Sequence, residues 1–230
     1  MRMVRRVPYL LTFMKIKAVF YDFDGVIKDS TDIKSAAFRS LYLSFGEDIA
    51  NKVVAHHQAH GGISRFEKIK HYHADFLNIH LSDPEINDWS NRFSALVFQK
   101  VIECNYVAGA LDSIQKLSEK YSQFIVTGTP ETEIHQILEK LGIWQFFKKA
   151  YGAPAGKSII CERILNEENL QPDEVVFIGD ATTDYEAAKS NGLHFVLREH
   201  GENLIYFKDK DVVRIKDLSK FESVINQFNS

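Results

Sequence analysis

The chain has 230 residues, 45% apolar and 26% charged, with a formal net charge of −3 at pH 7. This is the composition of a soluble globular protein, long enough for one domain with a sizeable insertion or for two small ones. The charge leaves no electrostatic footprint for nucleic acid, and the two cysteines, Cys104 and Cys161, have no metal-type spacing, so a reducing, cytoplasmic setting is expected.

Residues 1–14, MRMVRRVPYLLTFM, are basic and then briefly apolar. The apolar part is broken by Pro8, lacks a small-residue cleavage site and falls far short of the ~20 residues of a membrane span. An N-terminal extension is expected here, loosely attached or preceding a true start at Met14. Residues 17–22 then read as a buried strand. From about residue 30 to 104 strand signals vanish. Apolar residues Ile33, Ala37, Leu41 and Phe45 form a helical stripe, and similar patterns follow at 49–59, 64–79 and 84–103. Ser64 and Glu67 have capping-box spacing, and Asp83-Pro84 is a good helix start. Roughly four inserted helices are expected. Gly61-Gly62 marks a sharp loop among them.

After residue 104 the pattern alternates. Helices are expected at 111–120, 131–141, 158–168 and 184–190, and strands at 124–127, 149–151, 175–178 and 194–197. Such alternation predicts an α/β fold, a parallel sheet with helices on both faces, whose ligands bind at the carboxyl ends of the strands.

Four strand ends carry chemistry. The first delivers Asp22-Phe23-Asp24-Gly25-Val26. Residues i and i+2 of an extended segment point the same way, so Asp22 and Asp24 can face one small volume. Their mutual repulsion is relieved by a divalent cation, and one can then serve as nucleophile and the other as acid/base. The second delivers Thr127-Gly128-Thr129-Pro130, a hydroxyl and a glycine with free N–H groups at a helix start, suited to phosphate oxygens. The third leads to Lys157, a positive charge for the same site. The fourth delivers Gly179-Asp180-Ala181-Thr182-Thr183-Asp184, two more acids beside a glycine turn. Each alone reads equally well as a turn, a cap or a surface lysine. All four in order on one sheet do not.

This ordered set resembles the haloacid dehalogenase-like superfamily of phosphotransferases, over about residues 15–197. The resemblance implies a Rossmann-like core formed by 15–29 and 105–230, an all-helical cap of subfamily I at 30–104, an aspartyl-phosphate intermediate and Mg²⁺. By position, Asp22 matches the nucleophile, Asp24 the acid/base, Thr127 the phosphate-binding hydroxyl and Lys157 the neutralising lysine. Asp180 matches a metal ligand and Asp184 the residue supporting the metal site or the lysine. The metal set expected is therefore Asp22, Asp24, Asp180 and Asp184. Dehalogenases of the superfamily lack the second acid, so Asp24 favours phosphoryl transfer, where an alkoxide leaving group needs a proton. Gly62-Ile63-Ser64-Arg65 resembles the glycine–serine–arginine loop of the sugar-phosphate mutases and related phosphatases. This implies that Arg65, with Gly128, binds substrate. The mutases also carry a histidine just into the cap, where this chain offers only Lys34.

The expectation is a Mg²⁺-dependent phosphatase, a monomer or small homo-oligomer, acting on a small phosphorylated metabolite, with no nucleic-acid or membrane partner. A β-phosphoglucomutase-like mutase is the alternative. A P-loop kinase is disfavoured, because the loop ending at Lys157 is one residue too short, with Tyr151 where a glycine is required. A non-catalytic binding module would need a damaged site, and all six matched positions are intact. His56 and His60 share a helix face at a zinc-compatible spacing, but no acidic or cysteine partner accompanies them, and a solvated surface is the better reading.

Overall fold

A computed structural model of the chain describes residues 15–201 and 203–229; the N-terminal extension expected at 1–14 lies outside them. Six parallel strands form one sheet in the order β3-β2-β1-β4-β5-β6. They are β1 (Ala18–Tyr21), β2 (Ser122–Pro130), β3 (Lys149–Ala153), β4 (Val175–Gly179), β5 (His194–Arg198) and β6 (Val213–Ile215). β1 is buried on both faces because its sequence is apolar throughout. Val19 and Tyr21 pack into one core, while Ala18 and Phe20 pack into the other with Phe124 and Phe177. Burying each such large side chain stabilises the fold by about 1.5–3 kcal/mol.

β1 pairs with β2 on one side and β4 on the other, so the chain reverses direction across the sheet there. The carboxyl end of β1 is the topological switch point, where open α/β sheets bind ligands.

Between β1 and β2 come the helices α1 (Thr31–Tyr42), α2 (Glu47–Ala59), α3 (Arg65–His71) and α4 (Asp83–Glu103), followed by α5 (Ala110–Ser118). The helix expected over 64–79 is shorter, because α3 gives way to a π-helical turn at Tyr72–Phe76. Ser64 caps α3, and α4 starts at a capping box built from Ser82 and Glu85. The buried face of α1 centres on Ala37, Phe38 and Tyr42, whereas Phe45 falls in a 3₁₀ turn and stays exposed. Aromatic bulk sets this rotation, since Phe38 packs on Phe93 at 4.3 Å and Tyr42 stacks on Trp89 at 5.3 Å.

The two passages between sheet and insertion run side by side. Asp29 N–H donates to Asn105 O at 3.0 Å and Val107 N–H to Ile27 O at 3.0 Å. Lys28 bridges both to Tyr106 and back to Asp24. The remaining helices, α6 (Glu131–Lys140), α7 (Lys157–Glu168), α8 (Thr182–Ser190) and α9 (Phe221–Phe228), cover the sheet. Among the described residues no helix is long and apolar enough to cross a membrane.

Candidate active site

The ends of β1, β2 and β4 and the start of α7 converge on one cleft. Asp22 follows β1 directly and is 3% exposed. One of its oxygens accepts the N–H of Phe23 at 2.7 Å, and the other lies 2.9 Å from Lys157 Nζ. Lys157, the first residue of α7, also donates to Asp184 Oδ1 at 2.6 Å. The second oxygen of Asp184 accepts the N–H groups of Asp180 and Ala181 at 3.2 and 3.0 Å, which fastens it to its own loop. Burial pushes the Asp22 carboxyl up to about 7, against the pull of Lys157 and with help from Asp184. Burial likewise raises Asp180 and Asp184. Lys157 is held above its ordinary value, because Asp184 and Asp22 outweigh the cost of burying it.

Oxygens of Asp22, Asp180 and Asp184 lie within 4.8 Å of one another. Asp22 and Asp184 share Lys157, while His200 Nε2 sits 3.0 Å from Asp180 Oδ2. A compact set of hard oxygen donors with surplus negative charge fits a hard divalent cation. Gly25 shapes this corner. Its φ is +73°, and a Cβ there would overlap the Asp180 carboxylate.

Asp24 faces the same cleft, but its carboxylate lies outside that group of acids. Ser30 Oγ donates to Oδ1 at 2.6 Å and Thr129 Oγ1 to Oδ2 at 3.1 Å, while the Lys34 ammonium pairs with Oδ2. Burial pushes the Asp24 carboxyl up, yet Lys34 and these hydrogen bonds outweigh it and hold it below the ordinary value. The expected conflict between Asp22 and Asp24 is thus met on one side by Lys34, the residue standing where a mutase histidine was sought. Thr127 is buried in the cleft wall, its Oγ1 accepting Thr129 N–H at 3.2 Å, and Gly128 lies beside it.

The insertion roofs the cleft. Thr183 Oγ1 donates to Gly61 O at 2.9 Å, and Gly62, at φ +77°, is so close to Thr183 that a Cβ would overlap its hydroxyl. Arg65 reaches the cleft, but its forked donors are taken. They meet both oxygens of Glu133, in the first turn of α6, at 2.9 and 2.6 Å; Nη1 also donates to Ser94 Oγ at 2.6 Å. Arg65 also lies 4.6 Å over the Phe93 ring.

Sequence reasoning missed Glu133, Lys68, His57, His200 and Asn203, whose Nδ2 donates to Asp180 O at 2.8 Å. His200 and Asn203 were within reach, since they follow the end of β5 as the other site residues follow theirs. His56 and His60 stack at 4.0 Å with His71 at 4.3 Å from His56, and they form no metal-type group among the described residues.

Solved structures share this fold. A structure of β-phosphoglucomutase from Clostridium difficile aligns at TM-score 0.75 and 22% identity, covering 93% of this chain and 97% of its own. A predicted phosphoglycolate phosphatase from Haemophilus somnus aligns at TM-score 0.70 and 17% identity, covering 92% and 99%. At these identities the likeness is one of fold. A "Phosphorylated carbohydrates phosphatase" of Thermotoga maritima is 25% identical over 199 residues, 77% of this chain and 82% of that protein. The pattern described as "Haloacid dehalogenase-like hydrolase" matches residues 19–197, spanning all four strand-end motifs, and the chain belongs to that family.

Proposed function

We propose that the chain is a Mg²⁺-dependent phosphatase that hydrolyses a small phosphomonoester through a phosphorylated Asp22. The observation carrying this is the arrangement at the end of β1: a buried carboxylate with Lys157 at 2.9 Å, beside two further buried acids. Asp22, Asp180 and Asp184 would hold Mg²⁺, which when bound supplies positive charge against the crowded phosphoryl and carboxylate oxygens. Asp22 attacks phosphorus in line, and its bond to phosphorus forms as the ester oxygen leaves. Asp24 gives the leaving oxygen its proton, then takes one from the water that cleaves the aspartyl-phosphate. Lys34 keeps Asp24 ionised in the arrangement seen, which suits the second step. The negative phosphoryl group opposes Lys34 and shifts Asp24 toward the protonated form needed for the first. Lys157 neutralises charge, and Thr127 with the N–H groups around Gly128 receives phosphate oxygens.

The inserted helices act as a cap that excludes water, and the division into a core of 15–29 and 105–230 and a cap of 30–104 belongs to this reading. The catalytic groups all come from one chain, so a monomer suffices, and two free thiols accord with a cytoplasmic setting. The Thermotoga maritima relative makes phosphorylated carbohydrates the first compounds to test. The test is phosphate release with Mg²⁺ by Asp22→Asn. We expect no turnover and a melting temperature at or above the parent's, because one of three crowded acids is neutralised. Near-normal phosphate release by this variant overturns the proposal.

A further inference from the structure

The roof of the cleft holds a cation that the proposed chemistry does not use. Lys68, on α3, is 2% exposed and lines the same cleft as Asp22 and Asp24. The other cations of the cleft each have an acid. Lys157 has Asp22 and Asp184, Lys34 has Asp24, and Arg65 has Glu133. Among the described residues Lys68 has none. Its ammonium meets His57, at 2.8 Å from the ring Nδ1 and 3.3 Å from the backbone oxygen, and faces the Phe38 ring at 6.0 Å. All of these are neutral, since burial, followed by Lys68 itself, drives the His57 pKa well down.

A buried charge is ordinarily paired, and an unpaired one costs several kcal/mol. Burial, then Lys34 and Lys157, presses the Lys68 pKa down to about 7, and Asp24 offsets this only in part. A lysine ammonium also has three donors, and His57 occupies two. Because Nδ1 of His57 accepts from Lys68, Nε2 carries that ring's hydrogen, and His57 too lines the cleft. The roof therefore offers a positive charge lacking a counter-ion, beside a second N–H, carried by the inserted helices and not by the strand ends that bear Asp22 and Thr127.

Given the phosphatase reading, on which this rests, we infer that Lys68, supported by His57, receives a second anionic group on the part of the substrate that leaves. Two sources share that chemistry, a carboxylate and a second phosphate. Substrates with an uncharged leaving group lack the counter-ion and bind less well.

Binding to the turnover-blocked Asp22→Asn protein separates these points. Calorimetry with Mg²⁺ compares 2-phosphoglycolate with ethyl phosphate, and glucose 1,6-bisphosphate with glucose 6-phosphate. Tighter binding of the doubly anionic member in at least one pair, by roughly 10- to 100-fold, is expected. The pair that shows it identifies carboxylate or phosphate. Lys68→Met, of similar length and suited to a buried position, should abolish the preference in the Asp22→Asn background with no fall in melting temperature. Lys68→Arg should restore part of it. Equal binding within both pairs, or a preference that survives Lys68→Met, overturns the inference. The parent enzyme's phosphate release on the same four esters reads the phosphatase proposal separately. Absence of release with a preserved binding preference refutes the phosphatase and not the anion subsite.

Discussion

Glu133→Gln should slow the enzyme far more than it destabilises the fold. Arg65 and Glu133 form a bidentate pair whose side chains are 4% and 9% exposed, with Ser94 bonded to both. Removing one partner of such a pair leaves the other charge buried and uncompensated, at a cost of about 3–5 kcal/mol. Arg65 belongs to the insertion and Glu133 to a helix on the sheet, so the cost falls only on the closed arrangement. An insertion that swings away hydrates Arg65. The penalty thus appears in closure, and kcat/KM should fall by about two to four orders of magnitude. The assay is p-nitrophenyl phosphate turnover with saturating Mg²⁺, alongside thermal melting, for Glu133→Gln, Arg65→Met and the double variant. The double variant should lose much less than the sum of the singles, because no unpaired charge remains. Additive losses, or a melting temperature that collapses in step with the rate, refute the closure argument. A loss confined to doubly anionic esters in Arg65→Met, with Glu133→Gln unaffected, would return Arg65 to the substrate-binding role expected from the sequence.

Asp24→Asn should impair alkyl phosphates more than p-nitrophenyl phosphate, since nitrophenolate needs little help from an acid; equal losses speak against Asp24 as the proton donor. Gly62→Ala should depress turnover on every substrate and lower the melting temperature modestly, because φ +77° strains a residue bearing a Cβ and that Cβ would overlap Thr183 and hold the insertion off the sheet; unchanged turnover removes that contact from the closing surface. Stability should also show the buried lysine. Lys68 has a folded pKa near 7, below its unfolded value, so the unfolded chain binds more protons between about pH 7 and 10 and the parent gains stability across that window. Its neighbours Lys34, Lys157, Asp24 and His57 remain in Lys68→Met, so the melting difference between variant and parent should shift toward the parent as pH rises from 7 to 9.5. A difference independent of pH shows that Lys68 is not depressed.

The chemistry was legible because it is local. Asp22, Thr127 and Asp180 each follow an apolar run of strand residues, and Lys157 opens a helix, so one pass along the chain finds them. The set of acids around Asp22 was harder to read. The i, i+2 rule requires extended backbone, but β1 ends at Tyr21 and Gly25 turns at φ +73°, which carries the Asp24 carboxylate to Lys34 and leaves Asp180 and Asp184 as the neighbours of Asp22. Glu133 was invisible for a different reason. An acid in a first helical turn already has a sufficient local explanation in the helix dipole, and its partner lies 68 residues earlier. Lys68 and His57, 11 residues apart on neighbouring helices, meet only once the insertion packs. β6 is too short for its period to register, with just Val213, Arg214 and Ile215.

The paired passages at 27–29 and 105–107 separate a carboxylate from its counter-ion. Lys34 rides on α1, just beyond the crossing, whereas Asp24 stays with the strand end and is linked to the crossing through Lys28. The ion pair that holds the Asp24 carboxyl low therefore spans the junction between sheet and insertion. A displacement of one against the other has to break that pair, so the ionisation of Asp24 registers where the insertion sits on the sheet.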